Sequence, residues 1–142
     1  MEIYKSEEFI DYDVFFEGIF IKERFIDIIK NFICFSKDEL GAAKILAGYH
    51  QYFAVKKAIE RTQKAIQGNG KIGVFWHTQG SGKTALSFYL TYVLSDYYAK
   101  KNMVAKFYFI VDRIDLLEQA TQEFEARGLV VSTANTRAEL MA

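Results

Sequence analysis

The stretch from Ile72 to Ala99 limits the possible folds more than any other part of the chain. It joins three unlike pieces: the short apolar run IGVFW at 72–76, the glycine-containing HTQGSGKT at 77–84, and TALSFYLTYVLSDYYA at 84–99. The first is short, apolar and partly β-branched, which predicts a buried strand. The last has the length and apolar content of a long helix. The pattern repeats downstream. KFYFIVD at 106–112 predicts a second buried strand, 113–127 a helix with Asp112 as N-cap and Gly128 as C-cap, LVVS at 129–132 a third strand, and NTRAELMA another helix. A βαβαβ series forms a parallel sheet with right-handed crossovers, so the expected class is α/β. The glycine loop then lies at the carboxyl edge of that sheet, where open α/β folds bind ligands.

Upstream, Ile21, Phe25, Ile28, Ile29, Phe32 and Ile33 carry helical spacing with one broad buried face. SKDELG at 36–41 reads as a polar break. Residues 42–67 read as a second helix interrupted near Gly48, and GNG at 68–70 as a loop or helix cap. Residues 1–14 are polar and aromatic without clear period. The 142 residues admit one domain with a modest core. Formal net charge is zero, so any nucleic-acid or membrane contact must come from a local patch. No apolar run approaches the ~18 residues of a spanning helix, and the N-terminus is no signal peptide. The single cysteine, Cys34, excludes a disulfide framework and fits a reducing, cytoplasmic setting. It sits in the apolar run NFICF with nothing nearby to activate it, so a buried, inert thiol is expected.

Residues 80–84, Gly-Ser-Gly-Lys-Thr, end a phosphate-loop pattern G-x-x-x-x-G-K-[ST], except that His77 stands where the pattern has glycine. A loop that wraps phosphate must converge backbone N–H groups on one anion. That requires backbone angles only glycine adopts cheaply, and close approach that a Cβ would block. Gly80 and Gly82 meet both needs. The loop runs into a helix whose first N–H groups are unsatisfied and whose dipole favours negative charge. Thr78 and Gln79 are further nucleotide-binding candidates of the loop, with Ser81 between the glycines as a small residue tolerated for its size; Lys83 would reach the β- and γ-phosphates, and the Thr84 hydroxyl would bind Mg²⁺. Position 77 lies at the strand exit, before the wrapping begins, so His77 departs from the pattern without disabling it.

A second glycine pattern, Gly68-Asn69-Gly70-Lys71-Ile72-Gly73, matches G-x-G-x-x-G. A dinucleotide fingerprint follows a strand and opens a helix; this one precedes a strand and is rejected. Asp112 closes an apolar strand and has two readings, a magnesium-holding acid or a helix N-cap; the cap is favoured, since Arg113 follows directly. Gln51 has two readings as well. Its amide both donates and accepts, which suits adenine N6 and N7, or it is a solvated helix residue. Lys56, Lys57, Arg61 and Lys64 lie near one helix face, a modest basic stripe read as solvated. The 16% aromatic content, at helical and strand spacings, is read as core rather than as a base-stacking surface.

Three segments together, YHQYFAVKKAIERT, GVFWHTQGSGKT and FIVDRIDLLEQ, resemble the motor region of type I restriction enzyme R subunits, which are superfamily-two helicase-like P-loop translocases. WHTQGSGK is the most specific part, and that superfamily is less strict at position 77. VFFEGIFIKERFIDIIKNFICF is similar to the helical segment between nuclease and motor in the same family. The resemblance implies a partial RecA-like domain over 41–142 preceded by a helical linker over 1–40. It implies that Gln51 reads adenine, that Gly80, Gly82, Lys83 and Thr84 bind ATP and Mg²⁺, and that Asp112, Arg113 and Gln119 form motif Ia, facing DNA or bracing the ATP site. It also implies double-stranded DNA and the system's methylation and specificity subunits as partners, with no membrane. The family's nuclease elements, its acidic motif II and its second RecA-like domain are not matched, so the chain reads as a piece of such a subunit, expected to bind ATP–Mg²⁺ weakly without turnover and to self-associate. A small self-contained P-loop ATPase with Asp112 as magnesium ligand, and a non-catalytic remnant, are the alternatives.

Overall fold

The computed structural model describes residues 12–38, 41–134 and 136–141. Most of the stretch 1–14 and part of SKDELG therefore lie outside the described residues, as do the ends of NTRAELMA. In order come α1 (Tyr12–Phe20), α2 (Lys22–Asn31), β1 (Ile33–Asp38), β2 (Gly41–Leu46), α3 (Tyr49–Ile66), α4 (Lys83–Ala99), α5 (Ile114–Ala126) and α6 (Arg137–Met141).

α4 is the centre of the packing. Leu86, Phe88, Tyr89, Val93, Leu94 and Tyr98 are all buried, so apolar side chains surround much of the helix. α3 presents one stripe, Gln51, Val55, Ala58 and Ala65, at the spacing of a single helical face. α5 adds Ala120 and Phe124. The core joins these to Phe32, just past α2, and to Cys34 on β1. Tyr89 is its polar exception: its hydroxyl lies 3.3 Å from Cys34 Sγ and donates to the Ile45 carbonyl at 3.4 Å. Burial, with the Cys34 contact second, holds that phenol well above its ordinary pKa. Cys34 is buried, as its apolar setting implied.

Helix ends follow local chemistry. Gly128 takes φ 87° after α5, and the Gly128 and Leu129 N–H groups return to the Glu125 and Phe124 carbonyls. That double return needs a left-handed residue, which glycine supplies. Asn102 does the same after α4 with φ 57°. Asp112, by contrast, does not cap α5. Arg113 holds that position in extended conformation and makes no side-chain cap bond.

Expectations for three further regions are corrected. Ile33 and residues 42–46, expected to be helical, lie instead in the antiparallel strands β1 and β2, with Cys34 opposite Ile45 and Asp38 opposite Gly41. Phe32 and Cys34 are buried while Phe35 is exposed, so the run NFICF serves a period of two as well as the helical period. The face of α2 is also less covered than its spacing implied, since Ile21 and Ile29 are exposed.

The third correction is larger. Segments 72–76, 106–112 and 129–132 are not assigned as strands, and the only sheet among the described residues is the β1–β2 pair. A helix closes its backbone hydrogen bonds within itself; an extended segment becomes a strand only beside another. These three are not paired with one another. What stands is a mixed α/β chain, six helices and one small antiparallel sheet among the described residues, without the parallel RecA-like sheet.

Candidate functional site

The glycine loop begins with a turn. The Ser81 N–H returns to the Thr78 carbonyl at 3.4 Å, and Gly80, third in the turn, has φ 77°. Gln79, second in the turn, is not among the positive-φ residues, so this is a type II turn, which demands a left-handed third residue. Gly82 follows at φ 75° as the N-cap of α4. The two glycines thus occupy the two left-handed positions of the loop, and the chain enters α4 with its first N–H groups and the positive end of its dipole at the loop.

Lys83 folds back over this turn. Its Nζ donates to the Thr78 carbonyl at 2.9 Å and to the His77 carbonyl at 3.3 Å. Ser81 Oγ donates to the same Thr78 carbonyl at 2.8 Å. Thr78, Gln79, Gly80 and Lys83 are exposed, whereas Ser81, Gly82 and Thr84 are half-buried.

The loop is fastened to the start of α3. Gln51, only 8% exposed, accepts the Gly48 N–H at Oε1 (2.9 Å) and donates from Nε2 to the Gly82 carbonyl at 3.1 Å. The first bond caps α3; the second ties it to α4. Gln51 is therefore not the solvated helix residue of the plainer reading. Its neighbour His50 bonds the Ser81 carbonyl through Nε2 at 3.0 Å, and its ring meets the His77 ring at 5.5 Å between centroids. Two glycines make room for these side chains. A Cβ on Gly82 would stand 2.6 Å from Gln51 Nε2, and one on Gly48 would stand 2.8 Å from His50 Cε1. Sequence reasoning missed His50 and Gly48. The signal for them lies beside Gln51, in the glycine that precedes α3 and the histidine of YHQ.

Asp112, Arg113 and Gln119 lie at the entry and first half of α5. Arg113 forms a forked ion pair with Asp115, and Gln119 donates to Glu123 at 3.4 Å. Among the described residues no hydrogen bond joins these three to the glycine loop. Of the basic stripe, Lys56 is spent within the chain: its Nζ lies 2.9 Å from Asp27. Asp27 also accepts from Tyr52 and from Asn31. Burial raises the Asp27 carboxyl, but the Asn31 bond, the Lys56 charge and the Tyr52 bond outweigh it and leave its pKa below the ordinary value. Lys57, Arg61 and Lys64 remain exposed. The G-x-G-x-x-G run at 68–73 trails the end of α3 and opens no helix, so it is no dinucleotide fingerprint.

A model of the family described as SWI2/SNF2 ATPase matches residues 50–142, from His50 through the glycine loop to the last residue. The chain belongs to the SWI2/SNF2 ATPase family. Curated relatives sharpen this. The type I restriction enzyme HindI endonuclease subunit of Haemophilus influenzae is 36% identical over 77% of this chain, and over 10% of its own length. Two proteins of Methanocaldococcus jannaschii, named for the endonuclease subunits of type I restriction enzymes MjaVIIP and MjaIXP, are 42% and 32% identical over 71% and 96% of this chain. They bear out the resemblance carried by WHTQGSGK and its flanks: this SWI2/SNF2 family chain matches a segment of type I restriction endonuclease subunits. It spans about a tenth of the length of those relatives, 10% and 13% for the archaeal pair. No solved structure matches. No helix among the described residues is long and apolar enough to cross a membrane.

Proposed function

We propose that residues 77–84 bind the triphosphate of ATP, and that the chain is the ATP-binding segment of the DNA-translocating motor of a type I restriction endonuclease R subunit. The observation that carries this reading is the loop itself. Gly80 and Gly82, at φ 77° and 75°, feed the N-terminus of the central helix inside a region matched to an ATPase family. Arriving phosphates would draw Lys83 Nζ from the Thr78 and His77 carbonyls to the β- and γ-oxygens. The half-buried Thr84 hydroxyl follows directly and is the residue that would hold Mg²⁺. No group of three or more His, Cys, Asp or Glu is placed to hold a metal among the described residues. The donor set therefore suits an ion that arrives with phosphate oxygens and keeps several waters, as Mg²⁺ does. When bound, that ion neutralises charge on the phosphates.

Gln51 keeps a second N–H and a second lone pair beyond its bonds to Gly82 and Gly48, the pair needed to meet adenine N7 and N6. Asp112, Arg113 and Gln119 serve as motif Ia, facing double-stranded DNA or bracing the ATP site. A linker over 1–40, which carries α1, α2 and β1, leads into the motor part at 41–142; that division falls between β1 and β2. The complete subunit would hydrolyse ATP, translocate DNA and cleave it in the cytoplasm, beside methylation and specificity subunits. Hydrolysis needs several groups besides the phosphate loop, so this segment taken alone is expected to bind ATP–Mg²⁺ weakly and to turn over negligibly.

Titration calorimetry with ATP–Mg²⁺ tests this. Binding by the wild-type chain that Lys83→Ala abolishes is expected. No binding, or binding indifferent to Lys83, would overturn the assignment. Steady ATP hydrolysis abolished by Lys83→Ala would overturn the absence of turnover.

A further inference from the structure

Two consecutive side chains in the first turn of α3 hold two consecutive carbonyls of the glycine loop. His50 Nε2 meets the Ser81 oxygen at 3.0 Å, and Gln51 Nε2 meets the Gly82 oxygen at 3.1 Å. A carbonyl only accepts, so the His50 nitrogen carries the hydrogen. The chain has no cis peptide bond among the described residues. In a trans peptide the C=O and the next residue's N–H point in opposite directions. Turning the Ser81 and Gly82 carbonyls toward α3 therefore turns the Gly82 and Lys83 N–H groups away from it, off the buried side of the loop. Gly82, at φ 75°, leaves the Ser81–Gly82 peptide before it free to rotate, whereas its own carbonyl also accepts the Leu86 N–H at 2.9 Å as the first bond of α4.

We infer that His50 is a positioning residue for phosphate binding: by holding the Ser81 carbonyl it fixes the direction in which the Gly82 N–H is presented to an anion, while the Lys83 N–H is set by the Gly82 carbonyl's bonds to the Leu86 N–H of α4 and to Gln51. Gly48 is part of the device. A Cβ there would stand 2.8 Å from His50 Cε1 and 3.1 Å from Nδ1, so the imidazole reaches Ser81 only across a glycine. The inference rests on the nucleotide reading of the loop and adds a residue that the glycine-lysine pattern does not contain.

Calorimetric titration of the full 142-residue chain with ATP–Mg²⁺ and with inorganic tripolyphosphate tests it. His50→Ala weakens binding of both probes about threefold to tenfold, the range for one lost hydrogen bond. His50→Gln, whose amide nitrogen reaches where Nε2 stood, restores most of the affinity; a merely space-filling role would not be rescued by an amide. Gly48→Ala, which pushes the imidazole aside, behaves like His50→Ala. Thermal melting of each variant shows whether it is folded at the titration temperature. If the wild type binds and His50→Ala binds equally well, or if His50→Gln is as weak as His50→Ala while folded, the positioning role falls and the nucleotide reading survives. If the wild type binds neither probe, the nucleotide reading falls and takes this role with it.

Discussion

The helices α3 and α4 bury their apolar side chains, whereas the equally apolar segments at 72–76, 106–112 and 129–132 leave much of theirs in water. Val55 and Tyr89 are 0% and 1% exposed; Trp76, Ile110 and Val130 are 94%, 92% and 97% exposed. Hydrophobicity alone does not separate the two sets. A helix needs only one neighbour to cover its stripe, and α3 and α4 supply each other. A strand needs partners on its edges before its faces can be covered. The segment at 129–131 shows the half-finished state: Leu129 and Val131 pack on the core while Val130 points outward. The functional loop lies on the border between the two sets, and it is shaped because it is pinned to the helical side.

Several substitutions would break or sharpen this contrast. Phe32→Ala, in the helical core at 1% exposure, should cost about 3–5 kcal/mol in urea unfolding. A loss under about 1 kcal/mol would mean that the core is as loosely held as the extended segments. Next come the loop glycines. Gly82→Ala must accept φ 75° and displace Gln51, while Gly80→Ala meets only its own φ of 77°, with nothing within 4 Å of the new Cβ. The first should cost roughly 2–3 kcal/mol and most of the ATP affinity; the second about 1–2 kcal/mol. Equal effects on stability would show that the clasp by Gln51 contributes nothing.

Asp27 sharpens the comparison within the helical side. Asp27→Asn removes the Lys56 pair that joins α2 to α3 and should cost about 1 kcal/mol. Because its folded pKa is depressed, its contribution is fully present above the ordinary value of 3.8 and is lost as pH falls through the folded value. The wild-type stability advantage over Asp27→Asn should therefore vanish in acid; an advantage that persists there would refute the assignment. The smallest effect belongs to the exposed set. Val130→Lys should change stability by no more than about 0.5 kcal/mol and reduce self-association in sedimentation. A large loss of stability would show that the segment is already packed.

The same physics explains how much could be read beforehand. The loop and α4 were legible because their chemistry is local: glycines, a lysine and a threonine in a row, then a helix that satisfies itself. Gly128 after α5 was legible for the same reason, whereas Asp112 was misread because a capping residue type does not guarantee a capping bond. The β1–β2 hairpin was not legible, since Phe32 and Cys34 suit either period and Ala42, Ala43 and Lys44 are good helix formers. Pairing decided the matter, and pairing is a tertiary fact. The bonds from His50 and Gln51 to Ser81 and Gly82 span 31 residues each, a contact that no local pattern encodes.

The central claim is that residues 80–84 present their amides to phosphate. Two-dimensional amide NMR of the labelled chain during titration with ATP–Mg²⁺ addresses it residue by residue. The Gly80, Gly82, Lys83 and Thr84 resonances should move together, should not move with adenosine, and should stay still in Lys83→Ala. Shifts confined to other parts of the chain, or none at saturating ATP–Mg²⁺, would contradict it.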